Sequence, residues 1–154
     1  MNLMMKILNN DWYHQNTLVE TLPDDCVGFV YMVTNLTNNR KYIGKKLAKF
    51  AKTKYKMVTL KDGTKKRKKI KSQVESDWKT YYGSSVELSS DVVSLGAENF
   101  TREILFYCKS KGALSYVELR EQIFREVLLH PDLWYNGIVQ AKIHRNHVKE
   151  LTLP

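Results

Sequence analysis

A chain of 154 residues and 18.0 kDa has room for one core, and 43% hydrophobic with 27% charged residues describe a globular protein, not a disordered or fibrous one. The net charge of +9 is unevenly placed: residues 40–71 hold 15 basic residues and one acid, Asp62, leaving 10 basic against 15 acidic elsewhere. A +14 segment on a chain that is otherwise −5 favours a polyanionic partner, because concentrated basic charge displaces counterions from a phosphate backbone; a solvated basic loop is the plainer alternative.

Residues 1–25 read as an irregular leader ending in the turn signal Pro23-Asp24-Asp25. Its apolar start, residues 1–8, is interrupted by Lys6 and is too short for a secretion signal. No run approaches the roughly 20 apolar residues that cross a bilayer, so a cytosolic protein is expected. Residues 28–34 (G-F-V-Y-M-V-T) are rich in aromatic and β-branched residues, 35–39 carry turn chemistry, and 41–43 return as a second strand. A pairing centred on Thr37 and Asn38 sets Tyr31 opposite Gly44 and Tyr42 on the same face, two residues away. Residues 47–71 follow as a lysine-rich insertion, hairpin-like, with its turn at Lys61-Asp62-Gly63-Thr64.

Ser72 and Glu75 have capping-box spacing for a short helix through Trp78, Tyr81 and Tyr82 that Gly83 stops. Ser84 and Glu87 repeat the signal for a helix reaching Leu95 and Gly96. Residues 100–107 alternate as a third strand, and a long helix over 113–129 is closed by His130-Pro131. The order β, β, insertion, α, α, β, α is the α+β class, an antiparallel sheet covered by helices, with the domain over residues 26–138 and a tail over 139–154. Cys26 and Cys108 form neither a disulfide framework nor a metal motif and are expected as buried thiols.

Tyr31 closes G-F-V-Y and Tyr42 opens Y-I-G eleven residues later, with T-N-L-T-N-N-R-K between them. Together with D-W-K-T-Y-Y-G-S-S, N-F-T-R-E-I-L and a late W-Y-N-G, this pattern resembles the GIY-YIG nuclease superfamily, and within it the small homing-type endonucleases encoded by large tailed phages. The resemblance implies a three-stranded antiparallel sheet flanked by helices, and hydrolysis of DNA to 3′-hydroxyl and 5′-phosphate ends in the host cytoplasm. It also implies a Mg²⁺ cofactor, with Mn²⁺ as a substitute. Tyr31 and Tyr42 match the motif tyrosines, one of which takes a proton from the attacking water. Glu118, ending A-L-S-Y-V-E, matches the metal ligand, with Glu121 as the competing choice, and Asn136 matches a late hydrogen-bonding group.

A phenol of pKa about 10 is ionised to only about one part in a thousand near pH 7, so a tyrosine base needs cations beside it. Lys45 and Lys46, directly after Gly44, are placed to supply them and to offset charge on the pentacovalent phosphorus. Lys65, Lys66, Arg67, Lys68 and Lys69 are read as nucleic-acid contacts. The family's arginine falls on Lys52, which lacks the planar guanidinium fork, so the phosphate-holding cation stays open between Lys46, Lys52, Lys79 and Arg102. Trp78, Tyr81 and Tyr82 are core residues or stacking platforms, and His144 and His147 are read as surface histidines. The alternative function is a non-catalytic nucleic-acid-binding protein that keeps the fold.

Overall fold

The computed structural model describes residues 10–154; the apolar start over residues 1–8 lies outside the described residues. In chain order the elements are β1 (Trp12–His14), β2 (Thr17–Val19), β3 (Gly28–Asn35), β4 (Lys41–Leu47), β5 (Lys49–Thr59), β6 (Lys65–Glu75), α1 (Val86–Leu95), β7 (Phe100–Cys108) and α2 (Lys111–Phe124). Short 3₁₀ turns lie at Trp78–Thr80, Ala97–Asn99 and Arg145–Val148. Five strands form one sheet in the order β2-β1-β7-β3-β4, and β5 with β6 forms a separate two-stranded ribbon.

The α+β class holds, but the sheet is larger than the three antiparallel strands expected. β3, β4 and β7 are those three strands, and the segment read as an irregular leader adds β1, parallel to β7, and β2, antiparallel to β1. Trp12 explains the addition. It is buried, its indole N–H donates to the Trp78 carbonyl at 2.8 Å, and its ring meets Phe29 and Tyr31 edge-on at 5.1 and 5.3 Å. A three-residue strand with one anchoring tryptophan carries too little periodicity to be read locally.

The β3–β4 hairpin has the expected register, with Tyr31 opposite Gly44 and Val33 opposite Tyr42. Asn35 makes the turn: its side-chain oxygen accepts from the Thr37 amide at 2.9 Å and the Thr37 hydroxyl at 2.7 Å, and Asn39 adopts φ 60°. Strand alternation then sorts the side chains into two layers. Phe29, Tyr31, Val33 and Tyr42 pack with Trp12, Trp78, Leu88, Phe100 and Ile104 on one face. Val30 and Ile43 pack with Leu114, Val117, Val127 and Trp134 beneath α2 on the other. Cys26 and Cys108 are buried free thiols, as expected, and burial pushes Cys108 up to about 11.

Three helix expectations shift. Ser72 and Glu75 lie in β6, where Ser72 pairs with Lys52, and only the 3₁₀ turn Trp78–Thr80 follows. The next helix is capped by Ser85, whose side chain accepts from the Leu88 amide, and ends at Gly96. α2 starts earlier than expected, capped by Ser110, and ends at Phe124 because Glu126 turns to φ 54°. The tail beyond residue 139 returns to α2: Leu151 and Leu153 pack on its layer, and a Cβ on Gly112 would meet the His147 Cβ at 2.4 Å. Among the described residues no helix is long and apolar enough to cross a membrane.

Candidate active site

The two motif tyrosines lie side by side on one face of the hairpin, ring centroids 6.2 Å apart. Tyr31 is 1% exposed and Tyr42 9%. What lets both rings lie over β4 is Gly44: a Cβ there would sit 2.5 Å from the Tyr31 hydroxyl and 2.7 Å from the Tyr42 ring. Gly83 also borders the Tyr42 ring: a Cβ there would approach Cε1 at 2.9 Å, and its φ of +138° would strain any side chain. Between Val30 and Tyr31 the β3–β7 register shifts, leaving Leu105 as the extra residue on β7, a bulge that re-aims the chain at the tyrosine.

Tyr42 shares a 2.8 Å hydrogen bond with Ser84, and the Tyr31 and Tyr81 rings meet edge-on with centroids 6.1 Å apart. Burial, followed by the neighbouring Tyr42, Tyr81 and Glu118, pushes the Tyr31 phenol well above its usual range. The lysines therefore do not favour an ionised Tyr31.

The reason is visible in where those lysines go. Lys46 is on the tyrosine face, but its ammonium contacts Asp77 at 2.5 Å and lies 3.8 Å above the Tyr81 ring. Lys45 is turned by strand alternation to the α2 face, where it donates to Ser115 at 3.0 Å and pairs with Glu118 at 3.4 Å. Burial raises the Glu118 carboxyl above the usual carboxylate range, against the opposing pull of Lys45. Glu121 does not reach β4; it pairs with Arg125 at 2.9 Å along its own helix. Glu118 is thus the α2 carboxylate beside the motif strand, and its charge is felt at Tyr31.

Asn136 grips the outer edge of β4, accepting from the Ile43 amide at 3.0 Å and donating to the Ile43 carbonyl at 2.8 Å. Ile43 lies between Tyr42 and Gly44, so Asn136 fixes the backbone that carries the site. Gln122, which the sequence did not single out, donates to the same carbonyl at 3.2 Å. Tyr135 is held by Asn35, Asp91 and the Arg40 guanidinium, which lies 4.2 Å over its ring.

Of the cations considered for the missing arginine, Arg102 is buried and committed: it donates to the Lys79, Tyr81 and Asn10 carbonyls between the Trp12 and Tyr82 rings. Lys52 lies on the exposed ribbon, and Lys79 pairs with Glu75 on the surface. Lys65, Lys66, Arg67, Lys68 and Lys69 are all exposed on β6 and are separate from the tyrosine site. Trp78 is core, whereas Tyr81 and Tyr82 are half-buried around Lys46 and Arg102. Asp77, Ser84 and Ser115 complete the site, and capping spacing had marked Ser84 only as a helix start. His144 and His147 are exposed neighbours, and among the described residues no cluster of three or more His, Cys, Asp or Glu side chains forms a metal cage.

Residues 12–139 match the family model described as "Putative endonuclease segE, GIY-YIG domain". Comparison with curated proteins and with solved structures gives no match.

Proposed function

Because the chain belongs to the GIY-YIG domain family of the endonuclease segE, we propose that it is a metal-dependent DNA endonuclease that leaves 3′-hydroxyl and 5′-phosphate ends. The observation that carries this reading is Gly44, bare beneath both tyrosine rings on the strand whose next residue pairs with Glu118. A side-chain-free position there lets both phenols lie against the β4 backbone.

Glu118 is the residue that would hold the metal. Its carboxylate is partly buried, has Ser115 as a neighbouring oxygen through Lys45, and fits a hard cation that takes a single protein carboxylate, substrate oxygens and water. When bound, Mg²⁺, or Mn²⁺ in its place, neutralises charge on the phosphate and polarises its bonds. Lys45, with a side chain 37% exposed, is positioned to meet a phosphate oxygen while remaining near Glu118. Tyr42 is assigned the attacking water, since it is the more exposed of the two tyrosines and its hydroxyl shares a hydrogen bond with Ser84, whereas Tyr31 is packed in the core. Lys46 steadies the Tyr81 ring beside Tyr31, and Asn136 holds the β4 backbone. The basic ribbon, with Lys65, Lys66, Arg67, Lys68 and Lys69, supplies affinity for DNA.

Plasmid nicking in Mg²⁺ tests the assignment. Glu118→Gln and Tyr42→Phe are expected to lower the rate by at least about 100-fold; parental rates in both variants would remove it. A second reading, a DNA-binding protein that no longer cuts, is favoured by Lys45 already compensating Glu118 and by Lys52 standing out on the ribbon at the arginine's place. That reading predicts a protein that retards DNA and leaves plasmid intact throughout Mg²⁺ and Mn²⁺ titrations.

A further inference from the structure

Opposite residues of an antiparallel pair share a face and successive residues alternate, so the β5–β6 register sorts the ribbon's cations. One face carries Lys52, Lys54, Lys56, Lys66 and Lys68; the other carries Lys49, Lys65, Arg67, Lys69 and Lys71. Each face therefore holds five cations, and Lys56 faces Lys68 directly. Like charges opposed across a pair are destabilising, and an isolated two-stranded ribbon is itself marginal. Lysines blunt the ribbon's open edges, but that needs charge on either face, not five cations on each. A solvated ribbon lying flat on a polyanion would use one face only.

We propose that the β5–β6 ribbon is an arm that enters a groove of duplex DNA, with each charged face against one of the two phosphate walls. This rests on the DNA reading above. Eleven paired residues at roughly 3.3 Å each span about 36 Å, close to the ~34 Å of one duplex turn. The major groove, about 12 Å wide, admits a two-stranded ribbon. The arm also leaves the fold at the site: β5 starts two residues after the end of β4, the Ser76 amide donates to the Ala48 carbonyl, and Asp77 holds Lys46. Duplex gripped by the arm is delivered to the strand bearing Tyr42, Gly44 and Lys45.

The test is binding, read by anisotropy on a labelled duplex in EDTA while salt is varied, for the full chain and two variants. In one, Lys52, Lys54, Lys56, Lys66 and Lys68 become Gln; in the other, Lys49, Lys65, Arg67, Lys69 and Lys71 do. All ten side chains lie outside both core layers, and circular dichroism is the check that each variant folds. At about 0.9 per phosphate contact, each variant is expected to make the slope of log K against log salt shallower by roughly 4, and the two by similar amounts. One face accounting for nearly all of the change overturns the proposal. So does an unchanged slope in both variants, or equal affinity for a single strand of the same length. Cleavage is not read in this assay, so the two readings fail separately: symmetric binding by a protein that never nicks plasmid keeps the arm and removes the nuclease, and one-sided binding by a protein that nicks does the reverse.

Discussion

Gly44→Ala isolates the geometry of the site from its chemistry, because it deletes no functional group. The new methyl would lie 2.5 Å from the Tyr31 hydroxyl, 2.7 Å from Tyr31 Cζ and 2.7 Å from Tyr42 Cε1. Ordinary carbon contacts are about 3.5 to 4 Å, so both rings must retreat by about 1 Å. Tyr31 is packed against Trp12, Phe29 and Tyr81, and Tyr42 is buried against Tyr31 and Gly83, so both rings are confined. Overpacking of this kind costs about 2 kcal/mol, which for a domain of this size lowers Tm by about 6 °C. A displacement of about 1 Å at reacting groups costs about 100-fold in rate. Thermal unfolding by circular dichroism and plasmid nicking at 25 °C, well below Tm, measure the two effects independently. Gly137→Ala, whose Cβ would meet nothing within 4 Å, is the control and is expected to match the parent in both. Nicking by Gly44→Ala within about threefold of the parent would refute the placement of the reaction over Gly44.

Glu118→Gln is expected to abolish nicking yet raise Tm at neutral pH. The folded-state carboxyl is raised by burial, so its ionisation opposes folding; stability falls as pH rises from the unfolded value of about 4.3 through the raised one, and a thermal-unfolding series from pH 4 to 8 should show that fall flattened in the variant. Arg102→Met strands three carbonyls and two aromatic faces, and should cost about 3 kcal/mol in urea unfolding while leaving nicking at 15 °C within a few-fold of the parent. Asn136→Ala leaves the Ile43 amide without its acceptor, costs about 2 kcal/mol, and should slow nicking more than it weakens duplex binding in EDTA.

The hairpin register was legible because Asn35 and Asn39 announce the turn and a period of two does the rest. The same period, applied one residue further, separates Lys45 from Lys46, and adjacency in sequence concealed it: consecutive lysines point to opposite layers. β1 was hidden for a different reason. Its local hairpin with β2 pairs only three residues a side, and the partner that joins it to the sheet, β7, is some 90 residues away, so the local pattern is too short to read. Capping spacing misled at Ser72, since Ser-x-x-Glu also occurs in a strand whose partner, not its own sequence, decides the conformation. Arg102 looked like a free cation in the sequence because burial and three backbone acceptors are products of the whole fold.

The outer strand β4 carries Tyr42 and Lys45 of the candidate site, and the segment around residue 134 pairs along it: the Lys41 amide donates to the Leu133 carbonyl, the Tyr135 amide donates to the Lys41 carbonyl, and Asn136 takes both polar groups of Ile43. An outer strand with bare amides and carbonyls is a template for another copy's strand. The segment that orders the candidate site therefore also keeps β4 from pairing with a second molecule. A chain cut before this segment would lose activity and solubility together, for the same hydrogen bonds serve both.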